Sequence, residues 1–223
     1  MGQPLLLLVA LGFGFGPIYQ KAGGGNYIEF LAPGIIAMGV LFTAVFSGIE
    51  IIWDRQFGFL KETLVAPISR LEIMIGRTLG GGTVAIFQGL IIFAIAFAIG
   101  FRPQNSHLLP LAFLFLVFIA LLFTAVGTAI ASLLKDMQGF QLIMNFLVMP
   151  LFFLSGALFP LNGLPKSLTL IASVDPLSYG IDGLRGAFIN NYHFGLFHDI
   201  FILSILTAIF LAIGSYLFSK IEI

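Results

Sequence analysis

The chain has 223 residues, is 59% hydrophobic and 9% charged, and its ten basic and ten acidic side chains cancel. Charge this scarce does not cover a water-soluble globule, where roughly 25% of residues are charged, and zero net charge gives no footing to a nucleic-acid binder. A mean hydropathy of +1.10 points to a membrane protein, and the lack of cysteine excludes disulfides and thiolate metal sites.

Apolar stretches of about 20 residues between charges are candidate membrane spans. The first, about 5–18, is short. It lacks the basic start and small-residue cleavage site of a signal peptide, so it reads as a first span that has lost its N-terminal flank. The glycine-rich turn KAGGGNY follows, then a second span at about 31–51.

The next stretch, WDRQFGFLKETLVAPISRLEIMIG, breaks the pattern. Glu50, Asp54, Arg55, Lys61, Glu62, Arg70, Glu72 and Arg77 place eight of the chain's charges in one short region. Phe57, Leu60 and Leu64 repeat at i, i+3, i+7, and the charges lie off that stripe. This predicts an amphipathic helix at about 54–66 lying on the membrane surface. Pro67 ends it. Ser69 and Glu72 then match a capping box, flanked by Ile68 and Ile73 as a hydrophobic staple, and open a helix that runs into the third span, about 78–101. Within it, Gly80, Gly81 and Gly82 lack the lysine of a phosphate-binding loop and are expected to serve close helix packing.

The fourth and fifth spans are expected at about 109–134 and 139–159. Gln88, Thr124, Thr128 and Asn145 are the polar residues in mid-span, expected to bond between helices. Glu50 lies at the inner end of the second span, either snorkelling to the interface or clustered with Arg55. No span carries a charge near its centre, which weighs against an ion-coupled transporter.

The segment at about 163–190 is too broken to span. Pro165 to Ala172 is expected to form one short helix. Asp175 as N-cap and Pro176 at the first helical position start another, with Leu177, Ile181, Leu184 and Phe188 on one face and Asp182 and Arg185 spaced to pair on the other. With Pro165 and Tyr179, these residues suggest an outer re-entrant hairpin, a backbone tolerated at membrane depth when buried in protein, with an ordinary outer loop of some apolar content as the alternative. A sixth span follows at about 200–219. His193, His198 and Asp199 do not have the spacing of a helical metal site. Lysine and arginine divide six to four: Arg55, Lys61, Arg70, Arg77, Lys135 and Lys220 against Lys21, Arg102, Lys166 and Arg185. This places the charged loop and both termini in the cytoplasm.

DRQFGFLKETLVAPISRLEIMIGR resembles the first cytoplasmic loop of the permease subunits of type-two ATP-binding-cassette (ABC) exporters. In that family an acidic–Arg pair, a glycine, a glutamate and a Pro-x-Ser-Arg elbow follow one another. Here these are Asp54 and Arg55, Gly58, Glu62, and Pro67, Ser69 and Arg70. The segments YIEFLAPGIIAMGVLFTAVFSGIEIIWDR and FPLNGLPKSLTLIASVDPLSYGIDGLRG are also similar to the family, so the likeness runs from Pro4 along nearly the whole chain. Family members usually begin with an amphipathic helix, which this chain does not.

The resemblance implies an all-α polytopic permease occupying residues 1–223 as one domain, with six transmembrane helices, a cytoplasmic coupling helix and an outer re-entrant hairpin. It implies a plasma-membrane exporter of drugs, lipids or glycans. Arg55, Phe57, Gly58, Leu60, Glu62, Leu64, Pro67 and Arg70 would dock an ABC ATP-binding subunit, of which the whole assembly holds two copies. ATP and Mg would sit on that partner, with no cofactor and no hydrolysis on this chain. A second permease chain, most simply a homodimer, would complete the path through the lipid bilayer. An ion-coupled transporter or channel, or a structural membrane subunit, are the alternatives.

Overall fold

The computed structural model describes residues 2–23, 25–59, 67–162 and 165–220. Nine α-helices form among the described residues: α1 (Gly2–Lys21), α2 (Tyr27–Phe46), α3 (Ile49–Gln56), α4 (Arg70–Ile99), α5 (Leu109–Leu133), α6 (Met137–Leu154), α7 (Lys166–Val174), α8 (Pro176–Ile189) and α9 (Leu196–Ser219). Among the described residues six stretches are long and apolar enough to cross a membrane: α1, α2 with α3, α4, α5 with the 3₁₀ turn before it, α6 and α9.

The helix ends differ from the expected spans in an instructive way. α1 takes in Gly2 to Lys21, with Pro17 inside it. Its 20 residues, rising 1.5 Å each, make about 30 Å, enough to cross the hydrocarbon core. α4 begins eight residues before the expected third span because the Ser69 cap starts the helix, not the first apolar residue. α6 stops at Leu154 rather than at 159, and Gly156 turns the chain with φ +77°.

α2 and α5 form the core. Residues 30–41 of α2 and 122–129 of α5 are buried without a break. A helix apolar and buried on every side lies at the centre of a bundle. The other helices bury narrower stripes: Phe140, Met144, Val148 and Phe152 on α6, and Asp199, Leu203 and Thr207 on α9. Their opposite faces are greasy and open, as with Phe146 at 84% and Phe197 at 87% exposed. Such faces are costly in water and favourable against acyl chains.

The two core helices meet backbone to backbone. A Cβ added at Gly127 of α5 would overlap the Val45 carbonyl of α2, and one at Gly48 would overlap the Gly127 carbonyl. Small residues permit this approach where lipid gives helices no hydrophobic reason to associate. Of the three glycines expected to pack closely, Gly81 faces Ser47 and Gly82 faces Leu121, while Gly80 faces open space. Gly127→Val is therefore expected to destabilise the fold by about 1–3 kcal/mol or more, and Gly80→Ala to be neutral. Thermal unfolding of the two variants in detergent, followed by size-exclusion chromatography, checks this.

Candidate functional site: a charged joint and a buried hairpin

The charged joint begins where α2 ends. The Ser47 hydroxyl donates to the Ala44 carbonyl (2.7 Å), and the chain re-enters a helix as α3. Ile51 and Ile52 are buried, which turns the next residues towards the ends of α4, α5 and α6. The Arg55 guanidinium donates to the Leu134 carbonyl (2.8 Å) and the Ser132 carbonyl (3.1 Å). These groups close the C-terminus of α5, where carbonyls lack helical partners and the helix dipole is negative. Trp53 Nε1 donates to Met137 Sδ (2.7 Å), and Gln56 Nε2 to the Lys135 carbonyl (3.4 Å). Asp54 pairs with Arg77 of α4. A single turn of α3 thus ties together three spanning helices.

The tie stops at Gly58. α3 ends with Phe57 as its C-cap, and Gly58 takes φ +84°, a left-handed conformation that costs a side-chain-bearing residue about 1 kcal/mol or more. The expected amphipathic helix at 54–66 is therefore interrupted: residues 54–56 belong to α3, and any helix beyond starts after Gly58. Leu60, Glu62 and Leu64 lie outside the described residues. Phe57 is 71% exposed, and Phe59 and Pro67 are also exposed. On the return side the capping box forms as read: Glu72 N–H donates to Ser69 Oγ (3.2 Å), and Ser69 N–H to the Glu72 carboxylate (2.6 Å). Ile73 is buried and Ile68 half exposed. Arg70 is partly exposed, and Glu50 is exposed.

At the opposite end, α7 starts after Pro165, whose carbonyl accepts from Leu168 N–H (2.9 Å). Asp175 caps α8 through Leu177 N–H (2.8 Å), with Pro176 in its first turn. Burial pushes the Asp175 carboxyl up to about 7, partly offset by that amide. Folding thus favours the protonated form, so this contribution is present at low pH and is lost as pH rises through about 7. The Tyr179 hydroxyl donates to the Ser173 carbonyl, closing the turn between α7 and α8.

Residues 177–188 are buried on every side of α8, so the helix has no solvated face for an Asp182–Arg185 pair. That expected pair does not form. Asp182 accepts from the amides of His193 (2.7 Å), Phe194 (2.8 Å) and Gly195 (3.4 Å). Arg185 donates to the Gly156 carbonyl (3.1 Å) and to those of Phe30 and Ala157 (3.5 Å each), with its guanidinium 4.0 Å above the Phe30 ring. Each charge has found tertiary partners better placed than its neighbour one turn away. Between α6 and α7 lies an apolar groove of about 540 Å³, lined by Phe146, Leu147, Pro150, Leu151, Leu154, Leu170, Ile171, Val174 and Asp175.

Residues 1–189 match the ABC-2 type transporter family. The chain belongs to that family. It is 32% identical over 192 residues to the putative transport permease ycf38 of Cyanophora paradoxa, covering 82% of this chain and 64% of that protein. It is 33% identical over 189 residues to the Pyropia yezoensis protein of the same name, covering 82% and 64%. It is 31% identical over 187 residues to nodulation protein J of Rhizobium leguminosarum bv. trifolii, covering 83% and 71%. The chain thus spans just under two-thirds of the length of the ycf38 relatives.

Within this ABC-2 chain the structure separates the expected docking residues into two groups. Phe57 is exposed at the rim of the loop. Arg55 is turned inward and holds the base. Sequence reasoning missed the ties to Ser132, Leu134 and Met137, about 80 residues away, and also the Asp54–Arg77 pair, whose signal was opposite charges flanking the loop. The mid-span polar residues do not bond between helices as expected: Thr128 donates to the Thr124 carbonyl of its own helix, and Asn145 is exposed. His193 Nδ1 lies 2.8 Å from Asn162 Oδ1, and no cluster that could hold a metal ion is present among the described residues.

The Asp54–Arg77 pair is half-shielded, at 28% and 19% side-chain exposure. Asp54→Arg is expected to lower stability by about 1 kcal/mol and to restrict the variant to lower thermal midpoints, and Asp54→Arg with Arg77→Asp to recover most of the loss. A double-mutant cycle on thermal midpoints checks the pairing.

Proposed function

We propose that this chain is the membrane-spanning permease subunit of an ATP-driven exporter, with hydrolysis on a separate ATP-binding chain. The observation that carries this reading is the joint at Trp53–Gln56. A segment whose base is tied to α4, α5 and α6, and whose exposed end carries Phe57 and Phe59, is built to receive force from a docked protein and hand it to three spanning helices. Membership of the ABC-2 family supports it.

In this reading the loop after Gly58 meets the ATP-binding subunit in the cytoplasm, with Glu62, Leu60 and Leu64 on the contact. Two such subunits and a second permease chain complete the assembly in the plasma membrane, with both termini inside. The exposed apolar face of α6 is available to that second chain or to lipid. The groove between α6 and α7 falls within the roughly 300–1,000 Å³ typical of small-molecule pockets, and its apolar lining suits the greasy part of an amphipathic drug, lipid or lipid-linked glycan. An ion-coupled carrier would place a titrating group near mid-membrane. Asp199 stands in the first turn of α9 instead, near one end of the span.

Glu62→Arg and Gly58→Leu are expected to leave membrane insertion intact. Both should abolish co-purification of a stoichiometric partner that carries a nucleotide-binding phosphate loop. Gentle extraction of the tagged chain from its native membrane and identification of the associated proteins checks this. A chain that emerges with no ATPase, before any substitution, contradicts the proposal.

A further inference from the structure

The hairpin end holds a carboxyl pair that the transport reading does not use. Asp182 of α8 is satisfied as an anion, since three backbone amides at 193–195 donate to it. Asp199 is not. Its N–H donates to the Gly195 carbonyl (3.0 Å), which seats its side chain behind the same loop. It is 0% exposed, and neither carboxyl oxygen meets a donor among the described residues. Burying a charged carboxyl without partners is unfavourable. The group it faces is the Asp182 carboxyl. As two carboxylates, neither can donate to the other. With one proton between them, Asp199 O–H can donate to Asp182.

The surrounding groups offer no better neutraliser. Arg185 faces Asp182 from one turn along α8, but its Nη2 donates to the carbonyls of Gly156, Phe30 and Ala157, and among the described residues it forms no ion pair with either carboxyl. Tyr179 of α8 and Tyr192 of the loop face the pair, and they bring no positive charge. Asp175 faces Tyr179 from the start of α8 and adds a further acid. The His193 ring is directed to Asn162, and the His198 ring packs on Tyr179 (5.4 Å). α5 meets α8 with Phe115 and Ile119, which are apolar, and α2 with Phe30, beneath Arg185.

We propose that Asp182 and Asp199 form a proton-binding site in which one proton, held by Asp199 and donated to Asp182, fastens α8 to the start of α9. Loss of that proton leaves two buried negative charges side by side and loosens the 193–195 loop. The site is a property of this chain alone and stands apart from any ATPase partner. Its failure and the failure of the exporter reading are therefore separate results.

The test is infrared spectroscopy of the purified full-length chain in lipid nanodiscs. It is run in an Asp175→Asn background, so that Asp175 does not contribute. The expected result is a protonated-carboxyl absorption at neutral pH that shifts in deuterium oxide, titrates away on alkalinisation and is missing in Asp199→Asn. That variant is expected to keep the thermal midpoint within a few degrees, because its amide N–H donates to Asp182 in place of the acid. Absence of the absorption at neutral pH overturns the proposal. So does a thermal midpoint raised by added sodium or calcium but not in Asp199→Asn, which would mean that a metal cation fills the site. Should Asp199→Asn not fold, the alkaline titration of the absorption in carbon-13 aspartate-labelled chain still decides.

Discussion

The guanidinium of Arg55, resting on the last carbonyls of α5, is the contact on which the proposed mechanism depends. α5 is the buried centre of the bundle, and its C-terminal carbonyls have no helical partner. A cation there satisfies them and opposes the helix dipole. Because the same turn of α3 also carries Asp54 to Arg77 and Trp53 to Met137, the base of the charged loop cannot shift without moving α4, α5 and α6. Leucine at position 55 would leave those carbonyls without the donor, each such bond to a charged group being worth about 1.5–3 kcal/mol.

A rigid base is useful for coupling only if what lies beyond it is mechanically distinct. Gly58 supplies the boundary. Its positive φ ends the helical path after Phe57, so a push received beyond it arrives as a displacement of α3 rather than as a lengthening of one helix. On the other side of the loop the Ser69–Glu72 box fixes where α4 begins. Both anchors of the loop are thus stiff: one leads back into α2, whose contact with α5 at Gly48 and Gly127 is backbone on backbone, and the other leads into α4. Packed interiors shift between discrete arrangements rather than deform smoothly, which is what transmission across a membrane requires.

The local features were legible in the sequence. The capping box at Ser69, the Asp175–Pro176 start of α8 and the six apolar stretches depend on neighbours a few residues apart, and each formed. Features settled by tertiary contacts were not legible. Asp182 and Arg185 are spaced to pair, yet each is bound by groups from other elements because α8 is buried on every side. Arg55 read as a surface docking charge because its partners lie 77 and 79 residues away. Phe57, Leu60 and Leu64 carry a helical period, and the period says nothing of the break that Gly58 introduces between the first of them and the rest.

The central claim is that the joint is rigid up to Gln56 and moves with the spanning helices, while motion relative to it begins at Gly58. The chain has no native cysteine, so spin labels can be placed without background. Distances measured by electron–electron resonance between labels at Glu50 and Lys135, and between Glu50 and Phe59, in the assembled transporter with and without nucleotide, test it most directly. The account predicts that the first distance stays constant and the second changes. A first distance that changes as much as the second would contradict it.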